Sequence, residues 1–250
     1  KAQMANMENN PNVAFKDSLV NALYGNNPRT NSIKADMIDK IDYQKIMDMY
    51  KDRFKDASGF TFIFVGNIDE AKMVPLIEKY LGALPSLNLK ENFKKTSVEI
   101  RKGTYRNIFH KDLQTKKATV CIVNSGKCNY DVKNQLMMSI LSQLLTMEYT
   151  ETVREQEGAS YGVSVSGDVS KYPYPQGTVQ IVFDTDPDRR AKMCQLIDKG
   201  IDDFIANGPK ADNLKKVKEY MLKNYETNQK ENSFWMSALY SYYWDGIDTA

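Results

Sequence analysis

The stretch Val153–Gly167, "VREQEGASYGVSVSG", passes within fifteen residues from a charged, helix-compatible run through Gly158 to an alternating one. Glycine past the last periodic residue is a helix stop. Beyond it, Tyr161, Val163 and Val165 alternate with Gly162, Ser164 and Ser166, the pattern of a half-buried strand. A helix that runs almost directly into such a strand predicts an α+β architecture with helices packed on a sheet.

Reading outward, a helix is predicted from Asn129, with Val132, Leu136, Ile140 and Leu144 repeating every fourth residue and Asp131 suited to its first turn. "TYRNIFHKDL" (104–113) and "KATVCIVNS" (117–125) read as two strands before it. On the other side, "KYPYPQG" is a loop leading to a strand, "TVQIVFDT" (178–185). Asp186 and Pro187 suit the N-cap and first position of a helix that ends before Gly208 and Pro209. Two further helices are predicted over 211–229 and 233–245.

The amino-terminal part has its own strand–turn–helix unit, "GFTFIFVGNIDEAKMVPLIEKYLG" (59–82), in which Val74, Ile77 and Leu81 recur at helical spacing. The unbroken apolarity of Phe60 to Val65 predicts a strand covered on both faces. Ile41, Ile46, Met49 and Tyr50 form a helical stripe before it, and residues 83–102 lose all periodicity, as a linker between domains would. "AKMVPLIEK" (71–79) and "AKMCQLIDK" (191–199) agree at six of nine positions, each in a helix that follows a strand. Distant duplication and convergence on one packing geometry both account for that.

Charge and composition narrow the function classes. With 34 Lys+Arg against 32 Asp+Glu, the chain has no global field favouring nucleic acid or an anionic membrane. No apolar run has the length of a membrane span, and the first residues lack the apolar core of a signal peptide. The start at Lys1 and the ending "WDGIDTA" read as those of an excerpt from a longer protein.

Catalytic motifs are sparse. A zinc site recruits several ligands at set spacing, whereas His110 is the sole histidine. Cys121, Cys128 and Cys194 form neither a C-x-x-C pair nor a disulfide framework, and Cys121 and Cys194 sit in apolar surroundings. A Cys/His hydrolase would have to pair His110 with Cys121 or Cys128. Glu148, Glu151, Glu155 and Glu157 could supply paired carboxylates, but a solvated helix face accounts for them equally simply. No nucleophile elbow or phosphate loop is present.

The opening stretch resembles the carboxy-terminal region of the pitrilysin/insulysin (inverzincin) family of zinc metallopeptidases. "REQEGASY" matches that family's R-x6-Y element at a helix end and strand start, and the order of long helix, short helix, hairpin and helix pair also agrees. Upstream, "NVAFKDSLVNALYGNNPRT", "IDYQKIMDMYKDRF" and "FTFIFVGNIDEAKMVPLIEKYLGALPS" look like the end of a preceding homologous domain, so the likeness covers nearly the whole chain and is greatest to bacterial periplasmic members.

That resemblance implies α+β domains of the mitochondrial-processing-peptidase type, with a mostly antiparallel sheet layered with helices. Residues 1–98 would end one domain and 99–250 form most of the next. It further implies that Arg154 and Tyr161 stabilise the substrate carbonyl or oxyanion across a clamshell cleft. Arginine offers planar donors and tyrosine a hydroxyl, so both suit that chemistry. The zinc motif H-x-x-E-H is absent, so zinc would be bound outside this fragment, in an amino-terminal half of the same protein. The implied partners are peptide or unfolded polypeptide, with no nucleic acid and no membrane span, in a bacterial periplasmic or secreted setting. The fragment alone would be inactive. The family also contains zinc-free scaffold or partner subunits, which is the alternative.

Overall fold

The computed structural model describes residues 1–92, 94–96, 98–157 and 162–248. Their order is α1 (Ala2–Glu8), α2 (Pro11–Tyr24), a 3-10 turn (Ala35–Lys40), α3 (Tyr43–Phe54), α4 (Glu70–Tyr80), β1 (Ala118–Lys127), α5 (Val132–Glu157), β2 (Val163–Ser170), β3 (Gln176–Thr185), a 3-10 turn (Pro187–Arg189), α6 (Arg190–Asn207), α7 (Ala211–Asn228), α8 (Asn232–Tyr240) and a π-helical turn (Ser241–Asp245). Two compact units interleave along the chain. One comprises Lys1–Ala2, Lys34–Lys95 and Asn224–Ala250; the other comprises Gln3–Ile33 and Thr96–Lys223.

The second unit holds the sheet. β1 and β2 both pair antiparallel with β3, giving the order β1-β3-β2. Ile181 and Phe183 of central β3 are buried together with Val163 and Val165 of β2, Leu145, Tyr149 and Val153 of α5, and Met193 and Ile197 of α6. This α+β arrangement, an antiparallel sheet carrying helices, is the predicted fold class. α5 starts at Val132, three residues after the predicted Asn129, and Asp131 caps it from outside, its carboxylate accepting the Asn134 N–H at 2.7 Å.

Its buried stripe differs from the expected one. Val132 and Leu136 are exposed, while Leu145, Tyr149 and Val153 line the core. Leu144 of the expected stripe is buried as well, so the expectation fails in the first turns of α5 and holds further along it. The start of α6 also shifts: Pro187 opens a 3-10 turn, and Asp186 accepts the Arg189 N–H through its carbonyl, making no side-chain cap.

Glycines mark two close approaches. A Cβ on Gly167 of β2 would lie 2.5 Å from Ser142 Oγ and 2.6 Å from Met138 Sδ of α5. A Cβ on Gly200 of α6 would lie 2.6 Å from the Tyr149 ring, which is itself held by its hydroxyl donating to the Ile197 carbonyl at 3.1 Å.

Two predicted strands need correction, the first of them in the first unit. Residues 60–65 form no ladder, and Phe60, Phe62 and Phe64 are exposed. In the second unit 104–113 likewise forms no ladder, with Tyr105, Ile108 and Phe109 exposed. Alternating or unbroken apolarity specifies a strand's faces but not its neighbours, and without a neighbour its backbone groups have no ladder to join. The stripe Ile46, Met49 and Tyr50 of α3 is equally uncovered among the described residues.

The beginning of the aperiodic stretch after Gly82 is held by the Asp56 side chain. The Asp56 carboxylate accepts the N–H groups of Ser58 (3.0 Å), Leu87 (2.8 Å) and Leu89 (2.7 Å). The Leu87 bond foremost, followed by that from Ser58, holds its pKa far below the usual carboxylate range. Because the folded-state value is depressed, the stabilisation is present above the ordinary aspartate range and lost as pH falls into strong acid. Asp56→Ala is therefore expected to lower the thermal midpoint near neutral pH, by a difference that shrinks progressively as pH falls below the ordinary aspartate range. A midpoint difference that persists undiminished in acid would show that the carboxylate's charge is not what anchors the loop.

Candidate functional site

Arg154 belongs to the last turns of α5, one residue beyond the buried Val153; its side chain lies outside the described residues. Tyr161 also lies outside them, two residues before the buried Val163 that opens β2. The two flanking positions, Val153 and Val163, belong to one hydrophobic cluster. Val153 and Val163 thus bracket the R-x6-Y element in the sequence, one at the end of α5 and the other at the start of β2.

Between α5 and β2 runs a groove of about 400 Å³, lined by Gln135, Met138, Ser139, Ser142 and Gln143 on the helix and by Ser166 to Val169 on the strand. Thr146 of α5 closes one end: its Oγ1 accepts the Val165 N–H at 3.3 Å while its own proton goes to the Ser142 carbonyl at 2.8 Å. The Gln135 Nε2 is buried there without a hydrogen-bond partner. Sequence reading missed the groove. Gly167 is the one residue that could have signalled it, since a glycine inside a strand pattern marks close approach of another element.

The acidic helix face resolves into a surface cluster. Lys210 lies 2.8 Å from Glu151 and 3.6 Å from Glu148. The Lys210 hydrogen bond lowers the Glu151 pKa, and that same bond raises the Lys210 pKa. Glu155 and Glu157 have side chains outside the described residues. The cluster is an ion-paired exterior of the kind that contributes little to stability.

Cys121 and His110 do not make a nucleophile–base pair. Cys121 sits in β1 opposite Val182, and burial pushes its thiol from 9.0 up to about 11, the reverse of activation. His110 is exposed in the unpaired segment before β1. At neutral pH the Cys121 thiolate is about a hundredfold scarcer than at an ordinary cysteine. Iodoacetamide is accordingly expected to label Cys121 far more slowly in the folded chain than after unfolding; equal rates would contradict its burial.

Nor does the donor set fit zinc. Among the described residues no three His, Cys, Asp or Glu side chains converge as a metal site, and the one imidazole is remote in kind from a ligand cluster. No zinc chemistry is therefore derived from this chain's own residues. No helix among the described residues is long and apolar enough to cross a membrane.

Comparison with known families matches residues 40–221 to the peptidase M16 inactive domain. The chain belongs to this family. It is 23% identical over 245 residues to a "Zinc protease PQQL-like" protein of Arabidopsis thaliana, covering 93% of this chain and 26% of that protein. The "Probable zinc protease PqqL" of Haemophilus influenzae is 23% identical over 167 residues, 67% of this chain and 18% of that protein. The crystal structure of the periplasmic protease PqqL from Escherichia coli superposes with a TM-score of 0.78 at 17% identity, covering 98% of this chain and 27% of that one. The M16 chain described here therefore spans about a quarter or less of the length of these curated relatives. Its membership bears out the resemblance carried by the R-x6-Y element and the element order.

Proposed function

We propose that this M16 chain is the substrate-binding, zinc-free half of a zinc metalloendopeptidase. It binds extended peptide by strand addition to a sheet edge and completes, through Arg154 and Tyr161, an active site whose zinc is held by an H-x-x-E-H half outside this fragment. Residues 1–98 end one homologous domain and 99–250 form most of the next. The setting is bacterial, periplasmic or secreted, in keeping with the compartment named for the Escherichia coli relative.

The observation that carries the reading is the position of the R-x6-Y element in an M16 inactive domain, at the junction of α5 with the edge strand β2. Within the proposed roles, the guanidinium and the phenol donate hydrogen bonds to the scissile carbonyl as charge develops on its oxygen. When bound in its own half, zinc supplies Lewis-acid polarisation and an activated water.

The test is cleavage of an internally quenched peptide by the full-length protein, by its Arg154→Ala and Tyr161→Phe variants, and by residues 1–250 alone, each with and without chelator. Chelator-sensitive turnover that falls in both variants and is absent from the fragment is expected. A folded, zinc-supplied full-length protein that cleaves nothing across a broad peptide set would instead make the chain part of a scaffold or partner subunit.

A further inference from the structure

We infer that the free part of the β2 edge, together with the groove beneath α5, is a subsite for an extended peptide segment carrying a basic side chain. This rests on the peptide-binding reading above and gives it a place. β2 is an edge strand, since only β3 pairs with it among the described residues. In an antiparallel pair, alternate residues turn both backbone groups outward. Val165 is one of these, because its N–H donates to Thr146 Oγ1 instead of to the ladder. Counting by two along an unbroken register, Gly167 and Val169 also point outward. Beside them a groove opens between β2 and α5, with Met138 and Ser142 packed against Gly167 at its floor.

Proteins ordinarily guard such edges with lysine, proline or a bulge. β2 has none of them: its register is continuous, and its outer residues are small. The two outward pairs of N–H and C=O groups match one partner, the backbone of another extended chain. The facing wall offers Ser139, Ser142 and Gln143 for polar side chains of that chain. A turn about the last torsion of Gln135 would present its partnerless Nε2 to an acceptor in the groove. Asp168 lies between Gly167 and Val169 on the exposed face of β2, turned away from α5, and selects a cationic side chain at the position opposite it on that face of an added strand.

The probe is a fluorescein-labelled peptide of alternating threonine and valine with a central arginine, titrated by anisotropy against the chelator-treated full-length protein. A glutamate-centred version and two versions N-methylated at alternate amides accompany it. Asp168→Lys, an exposed change expected to leave the thermal midpoint intact, should weaken the arginine peptide about fivefold or more and strengthen the glutamate peptide. One N-methylated series should lose binding while the other keeps it, as a ladder requires. Insensitivity of both peptides to Asp168→Lys, equal effects of the two N-methylated series, or no saturable binding would each overturn the subsite. Turnover separates the two readings. If Arg154→Ala and Tyr161→Phe leave cleavage intact while the charge swap holds, the active-site role fails and the subsite stands; the converse result removes only the subsite.

Discussion

Replacing Arg154 by lysine in the full-length protein is expected to lower kcat/KM by about two orders of magnitude while moving the thermal midpoint by no more than about a degree. The proposed role needs two N–H groups in a planar fork aimed at one oxygen, and an ammonium on a flexible stem cannot reproduce that geometry. Loss of an oxyanion donor costs about 10²–10³ in kcat where it has been measured in other enzymes. Tyr161→Phe keeps the ring and removes only the hydroxyl, so a catalytic phenol predicts a fall in kcat with KM little changed. If either variant loses activity only in step with its melting temperature, the residue is structural. If neither changes the kinetics, the R-x6-Y element has no part in turnover.

The layered class, the positions of β1, β2 and β3, and the span of α5 were legible in the residues because each depends on local periodicity and on punctuation by Gly, Pro and Asp. Neighbours were not legible. Phe60 to Val65 has the composition of a buried strand, yet its faces stand exposed because pairing is a property of the whole sheet. The repeated nonapeptide makes the point within one chain. Met193 and Ile197 of α6 are buried against β2 and β3, while the corresponding Met73 and Ile77 of α4 are only half-buried. The same pattern thus gives a core helix where a sheet lies beneath it and an uncovered helix where none does.

The candidate site divides in the same way. Arginine and tyrosine seven apart at a helix-to-strand junction carried the family resemblance, whereas the groove depended on two residues with no chemical signature. Gly167 is needed because a Cβ would run into Ser142 and Met138. Thr146 matters only because the register of β2 places the Val165 backbone within its reach. Such features arise from the packing of one element on another and have no motif of their own.

Phe183→Ala is expected to destabilise the unit carrying the sheet by about 3–5 kcal/mol. Phe183 is almost wholly buried on the central strand, opposite Val120 of β1 and Val163 of β2, and it joins the cluster made with α5 and α6. Truncation removes a ring from a site walled by three strands and two helices, which cannot collapse around the vacancy. Against a total of about 5–15 kcal/mol for an ordinary domain, that is a large share. Phe183→Leu, which keeps most of the volume, should cost about 1–2 kcal/mol. Since Val163 begins the strand that follows Tyr161, loss of this packing should also loosen the R-x6-Y element from its downstream end. Urea unfolding of the full-length protein measures the first effect, and kcat/KM per folded molecule well below the transition measures the second. A purely structural Phe183 lowers only the stability. A fall in both for the alanine variant, with the leucine variant restoring both, would mean that the core beneath β2 sets the position of Tyr161. Stability within about 1 kcal/mol of the parent for Phe183→Ala would contradict the packing on which that junction depends.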